Sequence, residues 1–474
     1  MERKNAWKSY RQEDLAAVEE LSIQYRRFLD AGKTERECIA RAVRMAEEAG
    51  FINLLEAVHE GKRLQPGDQA YISFMEKSAA FFRIGTTPLE QGMNIIGAHV
   101  DSPRLDLKQV PCYEEAGNVY LDTHYYGGIK KYQWFALPLA LHGIIVRKDG
   151  TRVCVSVGEK EEDPAFVFTD LLPHLGRERN EEKVKDFFNA EKMDLLIGNR
   201  PLKDQEAKEY VLELLAGQFG IREEDFLSAE LEIVPAGGAR ECGFDRSMVL
   251  SYGQDDRSCA FAALTALLDT PEKANQEKES VRTACCLLVD KEETGSNGAT
   301  GMKSRFFENA VAELLFLTGE HLKSQGPGEL PFDLRLRRTL LHSRMLSADV
   351  SAAFDPMFET YFEKKNSAYL GNGLVFNKYS GSGGKSGAND ANPEYMAQLC
   401  RIMDEELVTY QTAELGAVDQ GGGGTIAYIM AKYGMEVIDC GLAVLSMHAP
   451  WEVTSKADLY EAVKGYRAFY KKML

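Results

Sequence analysis

Residues 94–106 read NIIGAHVDSPRLD, in which an apolar run closes on His99 and Asp101 follows two places later. Alternate residues of a strand point to one face, so the imidazole and the carboxylate are neighbours. A carboxylate beside a histidine fixes its tautomer and raises its basicity, the support that a metal-ligating histidine uses. A hydrogen-bonded strand end would carry the same HxD pair, so the pattern gains meaning only from what accompanies it.

Four further segments do accompany it. In SYGQDDRSCAFAALTALL, Asp255 and Asp256 lead into a helical apolar pattern. Aspartates there can cap the helix, and a carboxylate, unlike a histidine, can also bridge two cations with its two oxygens. In LLVDKEETGSNGATG an apolar strand ends in Asp290, Lys291, Glu292 and Glu293 ahead of a glycine-rich turn. One glutamate there can bind a metal while its neighbour takes a proton from metal-bound water, which Zn2+ makes acidic enough near neutral pH. A solvated acidic turn would have the same composition. SADVSAAFDP and LSMHAPWEVTSKAD place Asp349 and His448 near the ends of apolar runs, where a single histidine is more often structural than a ligand. Together His99, Asp255, Glu293, Asp349 and His448 supply two imidazoles and three carboxylates. With Asp255 shared, each of two metals receives one histidine, one terminal carboxylate and the bridge, leaving positions open for water and substrate.

Two glycine-rich stretches bear on the chemistry. SGSGGKSG is not a phosphate loop, because GxxxxGK[ST] ending at Lys385 requires glycine where Tyr379 stands. DQGGGGTIA, with Gly421 to Gly424, reads either as a flexible turn or as backbone that a substrate can approach closely.

The elements that must position these residues follow from periodicity. From residue 95 on, the runs MNIIGAHV, ACCLLVD, AELLFL, RMLSADV and EVIDCGLAVL have the rhythm of an α/β sheet, and such sheets bind ligands at the carboxyl ends of their strands. Ahead of them, Leu15, Val18, Leu21, Tyr25 and Phe28 recur at helical spacing before Gly32, and TERE offers Thr34 and Glu37 as a capping box. Residues 109–244 form a separate block, with a hairpin turning at KDG and a helix, DQEAKEYVLELLAGQFG, stopped by glycine. DTPEKANQEKESV and SQGPGELPFD read as surface loops.

A net charge of −17 on 474 residues argues against nucleic acid or anionic membrane as partners and points to small molecules, peptides or proteins. Nine scattered cysteines without a CxxC pair read as reduced thiols. The N-terminus MERKNAWKSYRQED has no secretory h-region, and WFALPLALHGIIV, interrupted by Pro138 and His142, is too short to span a bilayer. The expectation is a soluble cytoplasmic protein.

Through GAHVDSPRLDLK, YYGGIKKYQWF, LLPHL, DDRSCAFAAL, DKEETGSNGATG, LSADVSAAFDP and LSMHAPWEV, in that order, nearly the whole chain resembles the aspartyl aminopeptidase and vacuolar aminopeptidase family of co-catalytic zinc exopeptidases. The resemblance implies an α/β catalytic domain, a phosphorylase/peptidase-like mixed sheet flanked by helices over residues 1–108 and 245–474. It implies an inserted, mainly β dimerisation domain over 109–244, and dimers assembling into a tetrahedral homododecamer. By the same resemblance His99, Asp255 and Glu293 hold one Zn2+ and Asp255, Asp349 and His448 the other, while Co2+ and Mn2+ suit the same ligands. Glu292 is then the general base, Asp101 the partner of His99, and His174 of LLPHL reaches a neighbouring subunit's active site. The implied substrates are short peptides with a free amino terminus. Lys378 and Lys385 are the two candidates for contacting an acidic first residue, and a neutral first residue is the alternative. Two other readings are a two-metal amidohydrolase of N-acyl amino acids, distinguished by indifference to a free amino terminus, and a catalytically silent shell or cargo-binding protein.

Overall fold

The computed structural model describes residues 4–177, 181–269, 281–319 and 330–474. Most of DTPEKANQEKESV and the first part of SQGPGELPFD lie outside the described residues; of the latter, Phe332 and Asp333 begin the helix Phe332–His342.

Short apolar runs with β-branched residues form a nine-stranded mixed sheet. Its order is Ile52–Asn53, Gln69–Phe74, Ser78–Arg83, Ala284–Val289, Asn94–His99, Arg344–Ser347, Glu436–Gly441, Leu374–Asn377 and Tyr410–Thr412. The four central strands, from Ala284–Val289 through Glu436–Gly441, are mutually parallel. Parallel strands need cover on both faces, and the alternation of side chains supplies two cores. Ile96, Ala98, Cys286 and Leu288 face one apolar cluster, and Ile95, Cys285, Leu287 and Val289 face the other. Helices Gln12–Ala31, Glu35–Glu48, Gln254–Leu268, Pro393–Glu405 and Lys456–Lys472 contribute to the first cluster, and Phe306–Thr318 and Phe332–His342 to the second. Each fully buried Leu or Ile contributes about 1.5–3 kcal/mol relative to exposure.

The Thr34–Glu37 capping box forms, with the Glu37 amide donating to Thr34 Oγ1. AELLFL is an exception to the strand reading, because it lies within the helix Phe306–Thr318. There Leu314, Leu315 and Leu317 are buried and Phe316 is exposed, a helical face that six apolar residues alone do not reveal. EVIDCGLAVL is likewise two strands, Glu436–Gly441 in the large sheet and Ala443–Leu445 in another.

A second, six-stranded sheet runs Arg152–Val157, Leu139–Val146, Ala229–Pro235, Arg104–Glu115, Asn118–Tyr126, Leu195–Gly198, and has its own core around Trp134, Phe168, Leu195 and Ile233. Leu139–Val146 and Arg152–Val157 make the hairpin turning at KDG, and the helix Ala207–Phe219 stops at left-handed Gly220. A third sheet of five short strands includes Met248–Ser251 and Glu452–Ser455. It also takes Arg240–Cys242. All nine cysteines are free thiols, and among the described residues no helix is long and apolar enough to cross a membrane.

Candidate metal centre

Because the four central strands are parallel, their carboxyl ends share one edge of the sheet, and the chemistry gathers there. His99 ends its strand, the turn carrying Glu292 and Glu293 follows Ala284–Val289, and Asp349 follows Arg344–Ser347. Asp255 enters at the irregular first turn of the helix Gln254–Leu268, and His448 sits in the loop before Glu452–Ser455 with a left-handed φ of 65°. A non-glycine residue in that region costs about 1–3 kcal/mol and persists where surrounding contacts impose it. These side chains line one cavity of about 430 Å³ with Glu292, Asn377, Tyr379, Ser380, Leu415, Gly422 to Gly424, Thr425, Tyr428, Asp439 and Met447.

Two groups of donor atoms lie within 4.8 Å of one another: His99, Asp255 and Asp349, and Asp255, Glu293 and His448. The five expected residues and the shared Asp255 are thus brought together. The terminal carboxylates, however, are exchanged relative to the expected pairing. Asp349 goes with His99, and Glu293 with His448, whose Nε2 is 3.3 Å from Glu293 Oε1.

The tautomers decide what this arrangement suits. His99 Nδ1 lies 2.9 Å from the Asp101 carbonyl oxygen, and His448 Nδ1 lies 3.0 Å from that of Gly128. A carbonyl only accepts, so both Nδ1 atoms carry hydrogen. In a neutral ring the Nε2 lone pair is then free, and each Nε2 points at Asp255, His99 at 3.2 Å from Oδ1 and His448 at 3.2 Å from Oδ2. Asp255 Oδ1 is buried and accepts no hydrogen bond from the described residues. Two imidazole lone pairs converging on a carboxylate repel unless a proton or a metal cation lies between them, and this donor set suits zinc. The pKa shifts express the same demand for positive charge. Burial disfavours the imidazolium of His448, but Asp255 and Glu293 outweigh it and push the ring up to about 10. Burial opposes charge on His99 too, and Asp101, Asp255 and Asp256 raise it. Burial and then the Asp255 charge raise Glu293, and burial with the Asp256 charge raises Asp349.

The supports around the site are as specific as the donors. Asp101 faces His99 Nδ1 with its carbonyl oxygen at 2.9 Å, and its carboxylate lies 3.4 Å from the same nitrogen. That carboxylate accepts the backbone N–H groups of Glu292 and Glu293, at 3.1 and 3.2 Å, and the Tyr126 hydroxyl at 2.8 Å. It fixes the turn that presents both glutamates. Glu452 escaped the sequence reading although it lies inside LSMHAPWEV. Buried, it accepts the His448 N–H at 2.8 Å and the Asp255 N–H at 3.1 Å, so one carboxylate spaces two gathered residues. Burial, with the nearby Asp255 charge, pushes its carboxyl up to about 8.

Three expected residues stand elsewhere. His174 is exposed in the second-sheet region and is not among the described residues lining the cavity of its own chain. Lys378 and Lys385 flank Tyr379 rather than the cavity, with Lys378 Nζ 3.5 Å from its hydroxyl and Lys385 Nζ 3.5 Å above its ring. The glycine run does form cavity wall. Gly422 has a φ of 102°, and a Cβ there would meet the Gly381 carbonyl oxygen at 1.9 Å, so only glycine lets the two loops approach.

Strand ends, a helix start and a loop thus bring imidazoles and carboxylates to one cavity, the donor set of a metal-binding site. Residues 28–470 match the family of aminopeptidase I zinc metalloproteases, M18, and the chain belongs to that family. It is 53% identical to the probable M18 family aminopeptidase 1 of Clostridium acetobutylicum over 99% of this chain and 98% of that one. The crystal structure of the M18 aminopeptidase from Thermotoga maritima superposes with a TM-score of 0.91 at 40% identity, covering all of both chains. The S. cerevesiae mApe1 dodecamer shares the fold at 20% identity, with a TM-score of 0.73 over 95% of this chain and 96% of that one.

Proposed function

We propose that the gathered side chains hold two zinc ions, His99, Asp255 and Asp349 one and Asp255, Glu293 and His448 the other, and that the protein removes the first residue of peptides with a free amino terminus. The observation that carries this reading is the pair of locked tautomers, which turns both Nε2 lone pairs on the shared Asp255. Zinc bound there supplies Lewis acidity toward a water and toward the scissile carbonyl. Glu292, at the cavity wall, takes the proton of the attacking water and returns it to the leaving amine. Burial pushes its carboxyl up to about 7, in the range where a base both accepts and releases a proton. Asp101 holds Glu292 and Glu293 in register through their amides. The acidic lining attracts a cationic amino terminus.

The first residue cleaved is neutral rather than acidic. Among the described residues lining the cavity there is no Lys or Arg, and Leu415, Tyr428 and Met447 offer apolar surface. Residues 109–244 act as the inserted dimerisation domain, and dimers assemble into a tetrahedral dodecamer, a reading supported by the likeness to the mApe1 dodecamer. The exposure of His174 in its own chain is what a role in a neighbour's active site requires.

The test is hydrolysis of aminoacyl substrates with free and N-acetylated amino groups, spanning acidic, neutral and basic first residues, with chelator and metal add-back. Chelator-sensitive cleavage of free-amino substrates, leucyl and alanyl over aspartyl, is expected. Cleavage of acetylated substrates, or none with any metal, would overturn the activity, and aspartyl preference would overturn the specificity.

A further inference from the structure

Three consecutive residues at and just past the end of a second-sheet strand meet Asp101, Glu293 and His448 of the centre. Tyr126 ends the strand Asn118–Tyr126 and donates its hydroxyl to Asp101 Oδ2 at 2.8 Å, the same carboxylate that holds the Glu292 and Glu293 amides. Gly127 has a φ of 72°, and a Cβ on it would lie 3.3 Å from Glu293 Cβ. The Gly128 carbonyl takes the hydrogen of His448 Nδ1 at 3.0 Å, and a Cβ there would lie 3.3 Å from that nitrogen.

The strap is anchored from behind. The Arg104 guanidinium stacks 3.9 Å over the Tyr126 ring. Arg104 is itself buried and fixed by Glu232 at 3.0 Å, Asp106 at 2.9 Å and Glu35 at 3.5 Å. Glu35 begins the helix Glu35–Glu48 and also pairs with Lys77 at 3.2 Å. A buried arginine with these partners cannot move without leaving carboxylates uncompensated, so the Tyr126 ring has a fixed seat.

Resting on the two-zinc reading above, we infer that Tyr126–Gly127–Gly128 is a positioning strap that sets the Glu292–Glu293 turn through Asp101 and the His448 ring through the Gly128 carbonyl. Tyr126 is a positioning residue and touches no reacting atom. Through the strap, the placement of the centre depends on the second sheet.

Two variants test this, with readouts besides turnover. Tyr126→Phe keeps the ring under Arg104 and removes only the hydroxyl. Losing a support of this kind typically costs roughly 10–100-fold in activity or metal affinity, so kcat should fall by about that factor with KM near wild type. The d–d absorption of the cobalt-substituted variant should also shift as Glu293 moves. Gly128→Ala presses a methyl on the His448 ring, and chelator competition should show one metal held more weakly and the other unchanged. Wild-type kcat and cobalt spectrum in Tyr126→Phe would overturn the role of Tyr126, and wild-type affinity for both metals in Gly128→Ala that of Gly128. If the wild-type protein itself binds no metal, the two-zinc reading has failed, and the strap with it. If wild type binds two metals and the variants match it, the strap alone has failed.

Discussion

Glu292→Gln isolates proton transfer from metal binding. The substitution keeps size and shape at the cavity wall but leaves an amide that cannot accept a proton at working pH. Glu292 lies next to Glu293, yet it belongs to neither donor group within 4.8 Å, so its loss should leave zinc content at wild type. General base catalysis contributes roughly 10²–10⁴ in rate, which is about 3–5 kcal/mol of barrier at about 1.4 kcal/mol per decade. The assay is steady-state hydrolysis of a leucyl substrate, with metal content measured on the same preparation. kcat should fall by that factor while KM and zinc stay put. The pH profile adds an independent check. A base works deprotonated, so kcat/KM falls as pH drops through its pKa. Burial sets Glu292 at about 7, with the His99 charge lowering it and Asp101 and Asp255 raising it. Bound cations favour the carboxylate, so the acid limb should lie below that value and vanish in the variant. Activity within an order of magnitude of wild type would show that another group takes the proton. Loss of zinc together with activity would make Glu292 a ligand.

Glu452→Gln turns an amide N–H₂ toward one of the two backbone donors that the carboxylate accepts, the His448 N–H at 2.8 Å or the Asp255 N–H at 3.1 Å. Zinc affinity, measured by competition with a chelating dye, should fall roughly 10–100-fold, and unchanged affinity would remove Glu452 from the support of the site. Gly422→Ala puts a Cβ 1.9 Å from the Gly381 carbonyl oxygen at a φ of 102°. Overpacking of this kind costs about 1–3 kcal/mol, so a lower melting temperature and reduced kcat/KM should appear together; a neutral result would mean that the two loops separate freely. His142 bridges Glu37 at 2.9 Å and Glu159 at 3.0 Å, tying the helix Glu35–Glu48 to the second sheet. Burial opposes its charge, but both carboxylates win and raise its pKa. A raised folded pKa makes this stabilisation complete below the unfolded value of about 6.5 and lost as pH climbs through the folded one. Melting temperature should therefore decline on the alkaline side of neutrality, and the decline should flatten in His142→Gln; equal slopes in the two proteins would refute the coupling.

What the sequence discloses and what it hides divide along physical lines. His99, Asp349 and the Glu292–Glu293 turn were legible as strand-end residues because parallel strands buried on both faces read as continuous apolar runs, and polarity resumes where the strand stops. The pairing of terminal carboxylates was not legible. The His99 strand lies between Ala284–Val289, which leads to Glu293, and Arg344–Ser347, which leads to Asp349. Strand order therefore offers His99 either partner, and only the side-chain directions choose Asp349. Supports that act through the backbone are hidden more deeply. Glu452 and Asp101 work by accepting N–H groups, a role any buried carboxylate of suitable reach can fill. Gly128 contributes a carbonyl, which every residue has, and it lies just past the strand Asn118–Tyr126, 320 positions before His448. Such partners become visible only when the donors of a catalytic side chain are counted one at a time: a histidine whose Nε2 faces a shared carboxylate must place its Nδ1 hydrogen somewhere, and the acceptors found that way are the carbonyls of Asp101 for His99 and of Gly128 for His448.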